Sequence, residues 1–166
     1  MFETGDAVIH PTSGAGIVVG LANMPMQHKK QQYYKIEILG RVKTIIMVPV
    51  HSAEKIGLRF AISLIELDRV WEILSASPEK LPDDHKKRYK ELEDKLETQE
   101  IFKMAEIVRD LEWRKLRKNH LNGPAQRIYD QAIRLLAGEI AVSQGVQMQS
   151  ARIRIKKMID ANLPND

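Results

Sequence analysis

Apolar residues recur at every second position up to about Val50, and at every third or fourth position from about Leu64 onward. This change of period constrains the fold more than any composition figure. Successive side chains alternate across a strand, whereas on a helix they return to the same face after three or four residues. Tyr34, Ile36 and Ile38 alternate with Lys35 and Glu37, Gly40 and Arg41 supply a turn, and Val42, Thr44, Ile46 and Val48 resume the alternation. The pattern predicts a hairpin. Upstream, AVIH and GIVVGL are two shorter strand candidates separated by Pro11 and the Ser13, Gly14, Gly16 cluster, so four antiparallel strands can curl into a small barrel. Ser63 followed by Glu66 makes a capping box, and Leu64, Leu67, Val70, Trp71 and Leu74 follow at helical spacing. That helix is expected to close the β half.

The segment SASPEKLPDD, Ser75 to Asp84, has two prolines and no apolar period, and reads as a linker. Everything after it reads as helix. Asp83 or Asp84 caps a charged helix ending near Thr98, a second runs from about Glu100 to Lys118, a third follows Gly123 and Pro124, and a fourth covers roughly Met148 to Ala161. The expected class is α+β in two domains: a small β-barrel or curled sheet with its closing helix over 1–74, a linker over 75–84, and an all-α domain over 85–166.

Length and composition exclude several chemistries. The 166 residues can bury a real core, and the absence of cysteine removes disulfides, thiol nucleophiles and thiolate metal sites together. No apolar run is long enough to span a bilayer, and the start MFETGDAV resembles no signal peptide, so a cytoplasmic chain with no membrane partner is expected. GAGIVVG lacks the spacing of a dinucleotide fingerprint and no helix follows it. His10, His28, His51, His85 and His120 are scattered without ligand spacing, and Glu91, Glu93, Asp94 and Glu97 alternate with lysines as on a solvated face. No catalytic residue, metal or cofactor is expected, and the chain reads as a non-enzyme.

The stretch DLEWRKLRKNH, Asp110 to His120, raises a different possibility. On a helical wheel Ile101, Met104, Ala105, Val108 and Leu111 share one stripe, and Trp113 lies off it, nearest in angle to Phe102. The indole is therefore either a secondary apolar edge or an exposed wedge. Arg109, Arg114, Lys115, Arg117 and Lys118 cluster around it near the helix C-terminus, where cations are favourable against the dipole even without a partner. An apolar plate among cations also suits a nucleic-acid surface, because cations meet phosphates while the plate stacks on a base or opens a base step. The net charge of +4 is compatible with that use.

In chain order, FETGDAVIHPTSGAGIVV, IMVPVHSAEKIGLR, MAEIVRDLEWR and LLAGEIA resemble the CarD family of bacterial transcription regulators over nearly the whole sequence. The resemblance implies a Tudor-like N-terminal barrel that binds the RNA polymerase β subunit, and a helical C-terminal domain that contacts promoter DNA. It also implies a tryptophan, here Trp113, entering the minor groove at the upstream edge of the transcription bubble. Arg109, Arg114, Lys115, Arg117 and Lys118 are the expected DNA-binding surround, and a monomer is expected. In the hairpin, Ile45 and Met47 fall opposite Ile46 and Val48, so they form either an outer docking patch or a face covered by the helix from Ser63. Arg41, Lys43, Ile45, Met47 and Pro49 are the expected polymerase-contact residues. An edge strand there could also accept a partner strand.

One alternative is a sequence-specific repressor. EIAVSQGVQMQSARIRIKK can be read as a helix-turn-helix over about 139–158, with Ala141 packing, Gly145 turning, and Arg152, Arg154, Lys156 and Lys157 facing the major groove. It can equally be a plain amphipathic helix with Ile155, Met158 and Ile159 in the core.

Overall fold

The computed structural model describes every residue except His28, Arg41, Asn165 and Asp166. The chain divides into two compact units, one made of Met1–Ile62 and Gly138–Met148, the other of Ser63–Ala137 and Gln149–Asp166.

The first unit is built on strands β1 (Ala7–His10), β2 (Gly14–Met26), β3 (Lys29–Ile38), β4 (Thr44–Pro49) and β5 (Arg59–Phe60), with the short helix α1 (Ala53–Ile56) before β5. They form one antiparallel sheet in the order β4-β3-β2-β1-β5. The predicted hairpin is β3–β4, with Ile36 opposite Ile46 and Tyr34 opposite Val48. The inner face buries Val8, Val18, Tyr34, Ile36 and Val48, closed by Phe2, Ala53 and Leu58. The Phe2 amide donates to the Tyr34 hydroxyl at 3.1 Å, and the two rings meet edge to face at 5.5 Å. At Gly16 β2 leaves no room for a side chain against β3: a Cβ there would lie 2.7 Å from the Glu37 carbonyl oxygen.

Two features of this unit depart from the sequence reading. First, β2 is a long strand and not the short GIVVGL segment. It continues through Pro25 to Met26, paired to β3 down to Met26 opposite Lys29. Proline is tolerated because β1 pairs only with Gly14–Ile17, so further along β2 one edge is open and the missing N–H breaks no ladder bond. Second, the helix that begins at Ser63 does not belong to this unit. Its place is taken by the end of a helix from far along the chain, the Gly138–Gln144 part of α5 (Gly123–Gln144). A Cβ on Gly138 would sit 3.4 Å from the Ala15 Cβ, so the absence of a side chain lets this helix approach β2 closely. Glu139, 4% exposed, accepts both guanidinium nitrogens of Arg59 at 2.7 and 3.0 Å, and the Ile62 amide at 3.0 Å. The Ser143 hydroxyl donates to the Ile62 carbonyl at 2.7 Å.

The second unit contains α2 (Leu64–Ser75), α3 (His85–Thr98), α4 (Ile101–Lys118), the first part of α5, and α6 (Met148–Ala161) from Gln149 onward. α2 starts at the predicted capping box, with the Ser63 side chain accepting the Glu66 amide and the Glu66 carboxylate accepting the Ser63 amide. It buries Leu67, Val70 and Leu74 and packs against α4, so it joins the helices and does not close the sheet. Asp84 caps α3 by accepting the Lys86 and Lys87 amides. The connection 76–84 has no regular element, yet it is tied down: Arg88, itself buried, donates to the Pro82 and Asp83 carbonyls at 3.0 Å. Among the described residues, no helix is long and apolar enough to cross a membrane.

Candidate nucleic-acid interface

α4 carries the expected stripe, with Ile101, Met104, Ala105, Val108 and Leu111 all buried. Burial is not confined to that stripe. From Ile107 to Glu112 every residue is shielded, because this middle stretch is surrounded on all sides. Arg109 is therefore a correction to the expected DNA-binding set. It is 5% exposed, its Nε donates to Asp110 at 2.8 Å, and its Nη1 donates to the Ile73 carbonyl on α2 at 3.3 Å. The same Asp110 oxygen accepts the Glu79 amide at 3.0 Å. The pair clamps α2 and the α2–α3 connection onto α4 and has no surface to offer a phosphate. Burial pushes the Asp110 carboxyl above its ordinary range, against the opposing pull of Arg109.

Directly after Glu112 the packing loosens. Trp113 is partly exposed and lines a groove of about 290 Å³. From α4 the groove takes Asp110, Trp113, Arg114, Arg117 and Lys118; from the α2–α3 connection it takes Lys80, Leu81 and Asp83. The Arg117 guanidinium lies over the indole, 4.8 Å from its centroid. Arg114 is partly buried, and burial together with the neighbouring positive charge of Arg88 lowers its pKa. Four cations thus face two carboxylates around one aromatic ring. Lys115 stands apart, its ammonium 5.9 Å from the Tyr129 ring centroid. The Tyr129 hydroxyl in turn donates to the buried Glu112 carboxylate at 2.6 Å, and burial beside that carboxylate pushes the phenol's pKa up.

The structure therefore brings Trp113, Arg114, Arg117 and Lys118 together and leaves Lys115 and Arg109 elsewhere. Lys80, Leu81 and Asp83 were hidden in a stretch whose composition marks it only as a linker. Phe102, the other candidate for an apolar edge, lies beneath the Arg69 guanidinium at 4.4 Å.

Of the expected polymerase-contact residues, Arg41 lies outside the described residues. Lys43 is exposed, Pro49 is partly buried, and Ile45 and Met47 are 43% and 37% exposed on the outer face of β4, an edge strand. The β2–β3 ribbon adds three residues that the sequence reading passed over: Leu21, Met24 and Met26 are exposed where β2 runs past the end of β1. Their signal was weak: Met24 and Met26 are two apart about Pro25, whereas Leu21 is out of phase with them.

Around 139–158, α5 ends at Gly145, whose φ of +67° is left-handed, and the Val146 amide closes the turn on the Ala141 carbonyl at 3.0 Å. On α6, Ala151, Ile155 and Ile159 are buried, and Met158 is partly buried. Lys156 and Lys157 are exposed, whereas the Arg154 guanidinium is stacked on Trp71 at 4.4 Å.

Comparison with known proteins gives two family matches that together span most of the chain. A model of the CarD-like/TRCF RID domain matches residues 2–61, and a model of the CarD C-terminal domain matches residues 69–156. YdeB of Bacillus subtilis (strain 168), named as a candidate transcription factor, is 32% identical over 148 residues, covering 88% of this chain and 94% of that protein.

Proposed function

Because this chain belongs to the CarD family of transcription factors and carries that family's polymerase-interacting domain, we propose that it stabilises the open promoter complex. In this reading the β unit docks on the polymerase β subunit through β4, with Lys43, Ile45, Met47 and Pro49 at the contact. The helical unit sets Trp113, with Arg114, Arg117 and Lys118, against promoter DNA at the upstream edge of the bubble. The protein acts as a monomer and performs no chemistry.

The observation that carries this reading is the partly exposed placement of Trp113 among cations, immediately after a stretch of α4 that is buried all round. An indole held there can stack on a base or separate a base step, which costs about a few kcal/mol per step and therefore needs support from neighbouring phosphate contacts. Contacts available only with melted DNA shift the closed-to-open balance toward open, and about 1.4 kcal/mol of such preference changes the ratio tenfold. Tethering by the β unit raises the local concentration, so the DNA contact itself can be weak and indifferent to sequence.

The test is the lifetime of a promoter complex formed with purified polymerase. The intact protein should lengthen it, and Trp113→Ala should lose most of that effect while keeping its thermal unfolding midpoint. Equal lifetimes with the intact protein and with Trp113→Ala would remove the proposal.

A further inference from the structure

We propose that Glu112 and Tyr129 are a positioning pair for Trp113: their buried hydrogen bond fixes the rotation of the end of α4, and with it the direction in which the indole points. This rests on the reading of Trp113 as a DNA-facing residue and adds what aims the ring.

Glu112 is the last buried residue of α4, and beyond it every side chain of the helix is at least partly exposed. Close packing therefore stops one residue short of the indole. The last carbonyls of a helix also lack intrahelical partners, so its end is the part freest to turn. With Leu111 as the reference and about 100° per residue, Asp110 and Glu112 lie about 100° to either side of it and Trp113 about 160° away. Each of the three inner positions is held. Leu111 is fully buried, Asp110 accepts the Glu79 amide of the α2–α3 connection at 3.0 Å, and Glu112 accepts the Tyr129 hydroxyl of α5 at 2.6 Å. The helix is gripped on three sides, and the indole leaves through the fourth.

A buried carboxylate is a costly way to join two helices. Its desolvation is at best offset by the hydrogen bond, and an apolar pair of similar size would hold α4 to α5 as well or better. What the polar pair adds is direction, because hydroxyl and carboxylate meet only over a narrow range of distance and angle, whereas aliphatic side chains pack over many rotations. The donor is dependable: burial and the neighbouring carboxylate push the Tyr129 phenol's pKa up, so it keeps its proton. A second contact depends on the same rotation, since the Lys115 ammonium lies 5.9 Å from the Tyr129 ring centroid. Tyr129 thus meets α4 at two points three residues apart, one before Trp113 and one after it.

The experiment uses full-length protein with Trp71→Phe, so that Trp113 is the only indole and a ring remains beneath Arg154. Time-resolved fluorescence anisotropy reads the local motion of the indole, and promoter-complex lifetime with purified polymerase reads its use. Three variants are compared, each well below its own unfolding midpoint. Tyr129→Phe keeps the ring and removes the donor; it should increase the amplitude of fast indole motion and lose about as much of the lifetime gain as Trp113→Ala does. Glu112→Gln keeps an acceptor for the hydroxyl and should retain most of the gain. Glu112→Leu combined with Tyr129→Phe replaces the pair by apolar contact; it should recover the midpoint lost in Tyr129→Phe while the indole stays loose and the gain stays low. A pair that merely stabilised the fold would make motion and lifetime follow the midpoint instead. Unaltered indole motion in Tyr129→Phe overturns the inference whatever the midpoints. If Trp113→Ala loses the lifetime gain and Tyr129→Phe does not, the proposed function stands and only the positioning pair is lost. If Trp113→Ala leaves the lifetime unaltered, the proposed function fails and indole motion alone decides the inference.

Discussion

Arg109 and Trp113 are four residues apart and on neighbouring turns of α4, yet one is sealed and the other partly exposed. Arg109 owes its burial to Asp110, which neutralises it, and to the Ile73 carbonyl, which takes a second donor. Removing the guanidinium leaves a carboxylate that is 1% exposed without its counter-charge. Arg109→Ala should therefore cost about 3–5 kcal/mol in denaturant unfolding, far more than loss of a surface cation. Tyr129→Phe is a milder case: it removes the donor 2.6 Å from the buried Glu112 carboxylate and should cost about 1–3 kcal/mol by the same measurement. Neither outcome is legible from charge pattern. The sequence places Arg109 with the other cations of the cluster, and only the all-round packing of 107–112 tells it apart from Arg117 or Lys118. Trp113 was legible as a residue off the main stripe, but the recess beside it was not, because Lys80, Leu81 and Asp83 of its wall come from an irregular segment.

Elements with local punctuation were read well. Ser63 and Glu66 mark the start of α2, Asp84 marks α3, and α6 begins and ends where its apolar period does. The α2 cap carries a pH signature. Hydrogen bonds from the Ser63 hydroxyl and amide hold the Glu66 carboxyl below its ordinary value of 4.5, so the cap's contribution is complete above that value and is lost as pH falls through the lowered one. Glu66→Gln should lower the unfolding midpoint at neutrality, where the charge-dependent part of the cap is complete, and flatten its fall as pH drops below 4.5. β2 was misjudged in length because proline in a strand is permitted or forbidden by what lies on its edge, and pairing is not a local property. The edge strand β4 gives a second test at this scale. Ile45→Asp or Met47→Asp should abolish capture of polymerase by otherwise folded protein, since each places a charge on the exposed outer face and leaves Ile46 and Val48 inside. Retained capture would show that the polymerase contact lies elsewhere.

For the whole molecule, the two-part plan of strands followed by helices was visible in the change of apolar period, whereas the allocation of helices was not. A capped amphipathic helix directly after a sheet is naturally assigned to it. Here the sheet unit is completed instead by 138–148, through a glycine that permits close approach and a glutamate that fixes Arg59. Nothing in LLAGEIA announces that partner at a separation of 77 to 80 residues. A fragment covering residues 1–62 should therefore unfold at a lower temperature than the β unit of the intact chain. Glu139→Gln in the intact chain should cost about 1–3 kcal/mol, measured by the same melts. The delayed return of Glu139 also sets a timetable at the ribosome. With Glu139 77 positions after Ile62 and synthesis at about 5–20 residues per second, the nascent sheet waits about 4–15 s for its last piece. During that interval the Glu139 carboxylate is not yet there for Arg59 and 138–148 do not yet lie against Ala15, so the newborn β half is exposed to chaperones and proteases in an incompletely packed form.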